Sequence, residues 1–173
     1  MGTTETLTGE RADLLAALGK QRHFLRFPTR GLTDEQAAQR TTVSQLTLGG
    51  VIKHVTLVEG QWAKFITEGP SAMTFDVSEA TASTWEDGFR MIEGETLAGL
   101  LEKYDEVAAR TDELVRTVPD LDASHPLPEA PWFEAGATWS ARHVLLHILA
   151  ETAQHAGHAD IIREALDGAK SMG

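Results

Sequence analysis

Residues 142–164 read RHVLLHILAETAQHAGHADIIRE, and this stretch gives the clearest indication of the fold. The apolar residues of this stretch recur at spacings of three and four, the period of an α-helix with one buried face. Ser140 stands just before the stretch as an N-cap, and Gly168 follows it as a stop signal. The pattern predicts one long helix that ends near Leu166.

Three further stretches carry the same helical period. They cover about residues 8–25, 47–67 and 95–118, with a shorter helical segment near 33–36 between the first two. Proline and glycine residues end each of them, and no segment shows the alternation expected of a strand. Four helices of this length predict an all-α four-helix bundle, formed by residues 1–173 as a single domain. The connection between the second and third helices is long enough to cross the bundle, so these two helices can run parallel.

Charge and cysteine content exclude several classes of function. The chain has 15 basic and 26 acidic residues, a formal net charge of −11. A surface this acidic repels phosphate backbones and anionic lipids, so neither nucleic acid nor a membrane is an expected partner. The chain contains no cysteine, which excludes disulfides, cysteine-ligated zinc and a cysteine nucleophile.

The N-terminal residues and the hydropathy predict a cytoplasmic location. Residues 1–6 read MGTTET and lack the basic and apolar regions of a signal peptide. No apolar run approaches the roughly 18 residues that a membrane span requires.

Four potential metal ligands recur at every fourth position of the last helix. They are His143, His147, Glu151 and His155, and His158 follows one turn later on the same side. Two side chains at i and i+4 can reach the same point in space and hold one divalent ion. A third ligand must then come from another element.

His54 is the best candidate for this third ligand, because it is the one histidine inside the second predicted helix. Its neighbours Val51, Val55 and Val58 also fit a different role, that of a core histidine hydrogen-bonded to a neighbouring group. The histidines of the last helix could likewise be half-exposed polar residues of a bundle. Spacing alone leaves these interpretations open, although a buried, unpaired Glu151 would be costly without a cation or partner.

The two ligand-bearing segments resemble those of a known superfamily. The run LLHILAETAQHAGHADIIRE at 145–164 is similar to the last-helix signature of the DinB/YfiT-like proteins, especially their actinobacterial branch with its mycothiol-dependent enzymes. The segment GGVIKHVTLVE at 49–59 resembles the second-helix ligand segment of the same superfamily, and TWS at 138–140 also matches. The resemblance extends from the first helix to Gly168.

This resemblance implies a DinB-like bundle in up-down-down-up order with one divalent metal ion. The matching ligand positions are His54, Glu151 and His155, where many members carry three histidines and the mycothiol-dependent maleylpyruvate isomerases carry this His/Glu/His set. The implied topology makes the last helix antiparallel to the second, which favours Glu151 and His155 over His143 and His147 as the pair. Zinc is the expected ion, with nickel or iron as alternatives. We also expect a homodimer.

The ligand set and the resemblance together predict a metal-dependent thiol S-transferase of the mycothiol type. Three protein ligands leave one coordination position open, where a low-molecular-weight thiol could bind and then attack a small-molecule electrophile. His158 and Asp160 are the residues expected to orient a ligand or to shuttle a proton. The alternatives are a non-catalytic metal-binding bundle with a stress-related or partner-binding role, and a metal-assisted hydrolase. A closed site with His158 as fourth ligand would favour the non-catalytic alternative.

Two irregular segments, 75–85 and 126–139, are expected to form an apolar mouth beside the metal. Trp132, Phe133 and Trp139 are the candidate lining residues of the second segment. Their alternative role is simple packing across the end of the bundle.

Overall fold

The computed structural model describes residues 7–73 and 86–171, and these ranges form a helical bundle. The helices are α1 (Glu10–Arg26), α2 (Asp34–Ala38), α3 (Leu48–Glu68), α4 (Leu97–Thr117) and α5 (Ala141–Asp167). Two short 3-10 turns follow α1 and α3, at Phe27–Thr29 and Gly69–Ala72. The predicted all-α bundle is therefore confirmed. Residues 75–85, the first segment of the predicted mouth, lie outside the described residues.

Side-chain caps fix where the long helices begin. Thr47, Thr96 and Ser140 precede α3, α4 and α5, and each side-chain oxygen accepts a hydrogen bond from the backbone N–H three residues later, at 3.1 Å in each case. These bonds satisfy N–H groups that have no partner inside the helix. Gly168 ends α5 with a φ of 81°, a left-handed conformation that glycine adopts without a steric cost.

α1 and α5 run in the same direction. Near their beginnings, Arg142 of α5 forms an ion pair with Glu10 of α1. Near their ends, Arg163 donates a hydrogen bond of 2.6 Å to the carbonyl oxygen of Pro28, just beyond α1. Contacts that join start to start and end to end are possible only for parallel neighbours.

α3 runs antiparallel to α5, since its early and late residues meet the late and early residues of α5. The ring of His54 contacts that of His155, whereas the ring of Trp62 contacts that of His147. This direction confirms the expectation that His54 faces the later half of the last helix.

α4 runs parallel to α3 and completes the topology. Lys53, early in α3, pairs with Glu95 just before α4, and Gly60 further along α3 faces Val107 in the middle of α4. With α1 and α5 pointing one way and α3 and α4 the other, the order is up-down-down-up. The DinB-like topology implied by the resemblance is confirmed.

The connection between α4 and α5 contains two short strands that the sequence pattern did not predict. β1 (Ser124–Pro126) and β2 (Thr138–Ser140) pair antiparallel, with His125 opposite Trp139. Three residues are too few to show a period of two, so the alternation that identifies longer strands could not reveal them. The pair leads the chain directly into the N-cap of α5.

Two apolar clusters fill the bundle, one toward each end. The cluster near the start of α5 includes Phe65, Val115, Val144, Leu145 and Ile148. The cluster near its end includes Leu25, Val51, Ile52, Tyr104 and Ile162.

The core also contains an ion pair. Arg22 of α1 lies 2.5 Å from Glu59 of α3, whose side chain is only 1% exposed. Within the described ranges, no helix has the length and apolar character to cross a bilayer.

Candidate metal centre

His54 lies in the second turn of α3, with its imidazole enclosed between two other rings. The residue is 9% exposed. The ring of Phe89 stacks on one face, with centroids 4.1 Å apart and planes inclined by 20°. The ring of His155 approaches edge-on, at 4.7 Å and 67°. The imidazole of His54 is therefore held in the bundle interior beside α5.

The structure brings the three predicted ligands together. One ligand atom from each of His54, Glu151 and His155 lies within 4.8 Å of the others. Glu151 and His155 stand one turn apart on α5, with Glu151 Oε2 3.7 Å from His155 Nε2. His54 reaches the pair from α3 because the two helices cross antiparallel at this level.

The donor set suits a divalent ion with tetrahedral preference. Nitrogen and oxygen ligands about 2.1 Å from such an ion would lie roughly 3.4 Å from one another. The observed separation of 3.7 Å between Glu151 and His155 is close to that value, and small side-chain rotations would close the group further. Two imidazoles and one carboxylate are also a ligand combination that zinc and neighbouring transition metals accept.

Burial keeps the imidazoles of this group neutral, the form in which a ring nitrogen can bind a metal. Burial, together with the nearby ring of His155, lowers the pKa of His54 to about 4. The pKa of His155 is also lowered, chiefly by burial and further by His158, although the carboxylate of Glu151 opposes the shift. Neutral imidazole is the ligating form, so no proton has to be removed from either residue at neutral pH.

His158 contacts a ligand without joining the three-residue group. Its Nδ1 lies 3.3 Å from Nδ1 of His155, while Nε2 of His155 is on the side of Glu151. His158 thus lies behind His155 and does not supply a fourth donor to the group. Among the residues that the structure describes, His158 therefore does not close the site as a fourth ligand.

His147 and His143 lie in an aromatic cluster at the start of α5. Nε2 of His147 is 4.0 Å from Oε1 of Glu151, and the His147 ring contacts Trp62 edge-on at 4.8 Å. Burial and the neighbouring His143 lower the pKa of His147. The carboxylate of Glu151 therefore stands between two imidazoles, with one oxygen toward His155 and the other toward His147.

Trp139 packs inside the same cluster. Its ring stacks on Trp62 at 4.7 Å and on His143 at 4.3 Å. Phe133 meets Trp139 edge-on at 5.8 Å. Trp132, by contrast, is 59% exposed. For Trp139, the packing alternative describes the observed contacts better than the lining of a mouth.

Asp160 is separated from the ligand group in its described contacts. Its Oδ1 accepts a hydrogen bond of 2.7 Å from the backbone N–H of Ser171, which ties the end of the chain to α5. This contact gives the carboxylate a structural partner, and the catalytic role expected of Asp160 stays a prediction.

Phe89, which covers one face of His54, could not be identified from the sequence pattern. Phe89 lies in an irregular segment where no periodicity indicates which side chains point inward. The adjacent glycines Gly49 and Gly50, one turn before His54, are the one feature of the sequence that indicates a contact near His54. Paired glycines inside a helix indicate a close approach by another segment, but not which segment makes it.

Comparison with known proteins identifies the family. No curated protein matches the chain. A family model described as Mycothiol-S-transferase matches residues 13–168, which include the last three long helices in full, most of α1 and all three residues of the candidate metal centre. This match confirms the resemblance to the mycothiol-related branch of the DinB/YfiT-like proteins. The chain therefore belongs to the mycothiol S-transferase family.

Proposed function

We propose that this protein is a metal-dependent S-transferase that joins a low-molecular-weight thiol of the mycothiol type to a small-molecule electrophile. The observation that carries the proposal is the grouping of His54, Glu151 and His155 from two helices, in a member of this family. The described residues add no fourth donor to the group, which leaves a coordination position for substrate. Zinc is the proposed ion, with nickel and iron as alternatives.

A divalent ion bound by these residues would lower the pKa of a thiol that contacts it, so that the thiol reacts as a thiolate at neutral pH. The protein itself supplies position and a dry environment. His54 and His155 are buried, and Phe89 covers a face of His54. The chain has no cysteine that would compete with the substrate sulfur.

The proposed reaction forms one bond from sulfur to an electrophilic carbon. The leaving group departs with the electron pair of its former bond to that carbon, and the proton of the thiol passes to solvent. His158 supports the ligand set by holding the ring of His155 through its Nδ1 contact. In this proposal His54, Glu151 and His155 bind the ion, and His158 orients the ring of His155.

The decisive test is a thiol titration of cobalt-substituted protein. Sulfur coordination gives a strong charge-transfer band, so we expect the visible spectrum to change when mycothiol is added to the wild type. A Glu151→Ala variant that has lost its metal should give no such change, whereas His143→Ala, outside the ligand group, should behave as the wild type. Product formation is then measured by mass spectrometry with an alkylating electrophile.

A spectrum that stays unchanged at millimolar thiol would overturn the proposal. The metal-binding bundle without catalysis would then be the better description. A change of spectrum without any conjugate, over a panel of electrophiles, would limit the function to thiol binding. The homodimer expected from the sequence stays a prediction, which sedimentation of the purified protein tests.

A further inference from the structure

The backbone of residues 86–95 crosses the beginning of α3 at very close range. A Cβ atom placed on Gly50 would lie 1.8 Å from the carbonyl oxygen of Phe89 and 2.5 Å from its carbonyl carbon. Neither atom belongs to a flexible side chain that could move aside. Gly50 is therefore required for this contact, although glycine is a poor residue for a helix interior. We call residues 86–95 the strap.

An ion pair from the neighbouring position Lys53, three residues after Gly50 on α3, also holds the strap. Nζ of Lys53 lies 2.9 Å from a carboxylate oxygen of Glu95 and donates a hydrogen bond of 3.3 Å to the carbonyl oxygen of Arg90. The carboxylate of Glu95 also accepts a hydrogen bond of 2.9 Å from the N–H of Ile92. The side chains of Lys53 and Glu95 are only 14% and 17% exposed, so water screens this pair weakly.

Gly50 lies one turn before His54 on the same face of α3, and the strap that crosses there places one ring directly on His54. The rings of Phe89 and His54 are stacked, with centroids 4.1 Å apart. His155 meets His54 from another direction at 4.7 Å. A planar ring packed against one face resists rotation about its side-chain torsions. The direction of the His54 ring nitrogens is thereby fixed by a residue from a different segment.

We infer that the strap is a positioning element for the metal ligand His54, and that Phe89, seated by the close contact of its backbone with Gly50, sets the plane of the imidazole. The inference rests on the proposed function for the identity of His54 as a ligand. It adds Phe89, Gly50 and Lys53 to the residues on which the metal centre depends. None of the three donates an atom to the ion.

The first experiment compares metal affinity in two variants of Phe89. Phe89→Leu keeps apolar volume but removes the aromatic face, and we expect metal affinity to fall by about ten- to hundredfold, as when other outer partners of a ligand are removed. The visible spectrum of the cobalt protein should change as well, because the ligand geometry is altered. Phe89→Tyr keeps the stacked ring and should restore both the affinity and the spectrum. A merely structural role would change the melting temperature but leave the spectrum of the folded protein unchanged.

The second experiment uses the two glycines of α3 as a matched pair. Gly50→Ala forces the strap away and should weaken metal binding and alter the cobalt spectrum. Gly60→Ala lies on the same helix, where the added methyl would meet Val107 at 3.7 Å, an ordinary contact, and should leave both unchanged. If Gly50→Ala does not fold, the Phe89→Leu and Phe89→Tyr pair decides the question.

A third measurement on metal-free protein separates this inference from the proposed function. A ring stacked on His54 shifts the imidazole proton signals upfield in NMR spectra, and Phe89→Leu should move these signals downfield without any ion present. Wild-type protein that binds no stoichiometric metal would overturn the proposed function, and with it the positioning role. Wild-type protein that binds metal, with Phe89→Leu binding equally tightly and with the same spectrum, would overturn the inference and leave the proposed function intact.

Discussion

The Nδ1 atoms of His155 and His158 lie 3.3 Å apart on α5, a separation at which one of the two must carry the proton and the other accept it. If Nδ1 of His155 carries the proton, its Nε2 keeps a free lone pair on the side where Glu151 lies 3.7 Å away. This is the usual arrangement around a ligating histidine, whose second nitrogen is held by an outer partner.

Replacing His158 by phenylalanine should weaken metal binding without abolishing it. The ring volume is kept, but the nitrogen that fixes the tautomer of His155 is lost, so we expect a decrease in affinity of about ten- to hundredfold. A competition titration with a chromogenic chelator measures the affinity, with His143→Phe as the control outside the ligand group. Equal affinities in the two variants would show that His158 does not orient His155.

Replacing His155 by alanine should remove stoichiometric metal altogether. The residue contributes one of three donors, and the remaining two, on different helices, form a weak site. Elemental analysis of purified protein after gel filtration gives the metal content directly. One tightly held ion per chain in His155→Ala would contradict the ligand assignment, and we expect His147→Ala to retain its ion as the control.

Chelation should lower the melting temperature while leaving most of the helical signal in place. The candidate ligands join α3 to α5, so an ion that binds only the folded chain stabilises it by roughly 4 kcal/mol at a thousandfold excess over Kd. The apolar clusters remain without the ion and should keep the helices assembled. The measurement is thermal unfolding followed by circular dichroism, with and without chelator. Identical midpoints would argue against a site that bridges two helices.

The helices could be predicted from the sequence because they depend on the helical period, whereas spacing alone left the metal interpretation of the histidines open. The spacing of Glu151 and His155 on one helix places both on one face. The antiparallel pairing that brings His54 to them was implied by the family resemblance. The family resemblance then resolved which of the histidine pairs lies opposite His54.

Contacts made by irregular segments could not be read in the same way. Phe89 stacks on His54 because the strap crosses α3 at Gly50. A tertiary contact of this kind produces no periodic pattern in the sequence. The burial of Glu59 was missed for a related reason. A carboxylate is expected at the surface unless it is paired, and its partner Arg22 lies on another helix, 37 positions earlier in the chain. Sequence patterns identify faces, whereas pairings between elements require the assembled fold.

The metal-free protein should lose stability as the pH falls from about 6.5 to 4. Burial in the folded state, with His155 beside it, lowers the pKa of His54 to about 4, whereas the unfolded residue has the ordinary value near 6.5. Between these values the unfolded chain binds more protons than the folded chain, so acid favours unfolding, with a slope of up to about 1.4 kcal/mol per pH unit from this residue. Glu151 faces the same group and is close enough to moderate the effect.

Urea unfolding at a series of pH values, with chelator present, measures that slope. The variant His54→Gln carries no titrating ring and should show a shallower dependence on pH over the same interval. The contribution of neutral, buried His54 to the free energy of unfolding is fully present above pH 6.5 and is lost toward pH 4. The plots of unfolding free energy against pH for the wild type and the variant should therefore diverge most at low pH. Parallel curves would mean that His54 is not neutral and buried in the folded protein.

The buried ion pair of the bundle core gives the last prediction. Arg22 is enclosed with Glu59 at 2.5 Å and also donates a hydrogen bond of 2.7 Å to the partly exposed Asp112. Arg22→Met leaves the carboxylate of Glu59 buried without its cation, and we expect a loss of about 3–5 kcal/mol in the free energy of unfolding. Arg26→Met removes a comparable pair with Asp105 at the surface and should cost less than about 1 kcal/mol.

A double variant distinguishes the destabilisation caused by an unpaired buried charge from the net contribution of the ion pair to the free energy of unfolding. Combining Arg22→Met with Glu59→Leu replaces both charges by apolar groups of similar size, and such replacements are often neutral or stabilising. We therefore expect the double variant to recover most of the stability lost in Arg22→Met, as measured by urea unfolding of the metal-free protein. A double variant as unstable as the single one would show that the pair itself stabilises the bundle. Since Glu59 lies on the same helix as His54, metal affinity measured in both variants would also show whether this pair contributes to the ligand geometry.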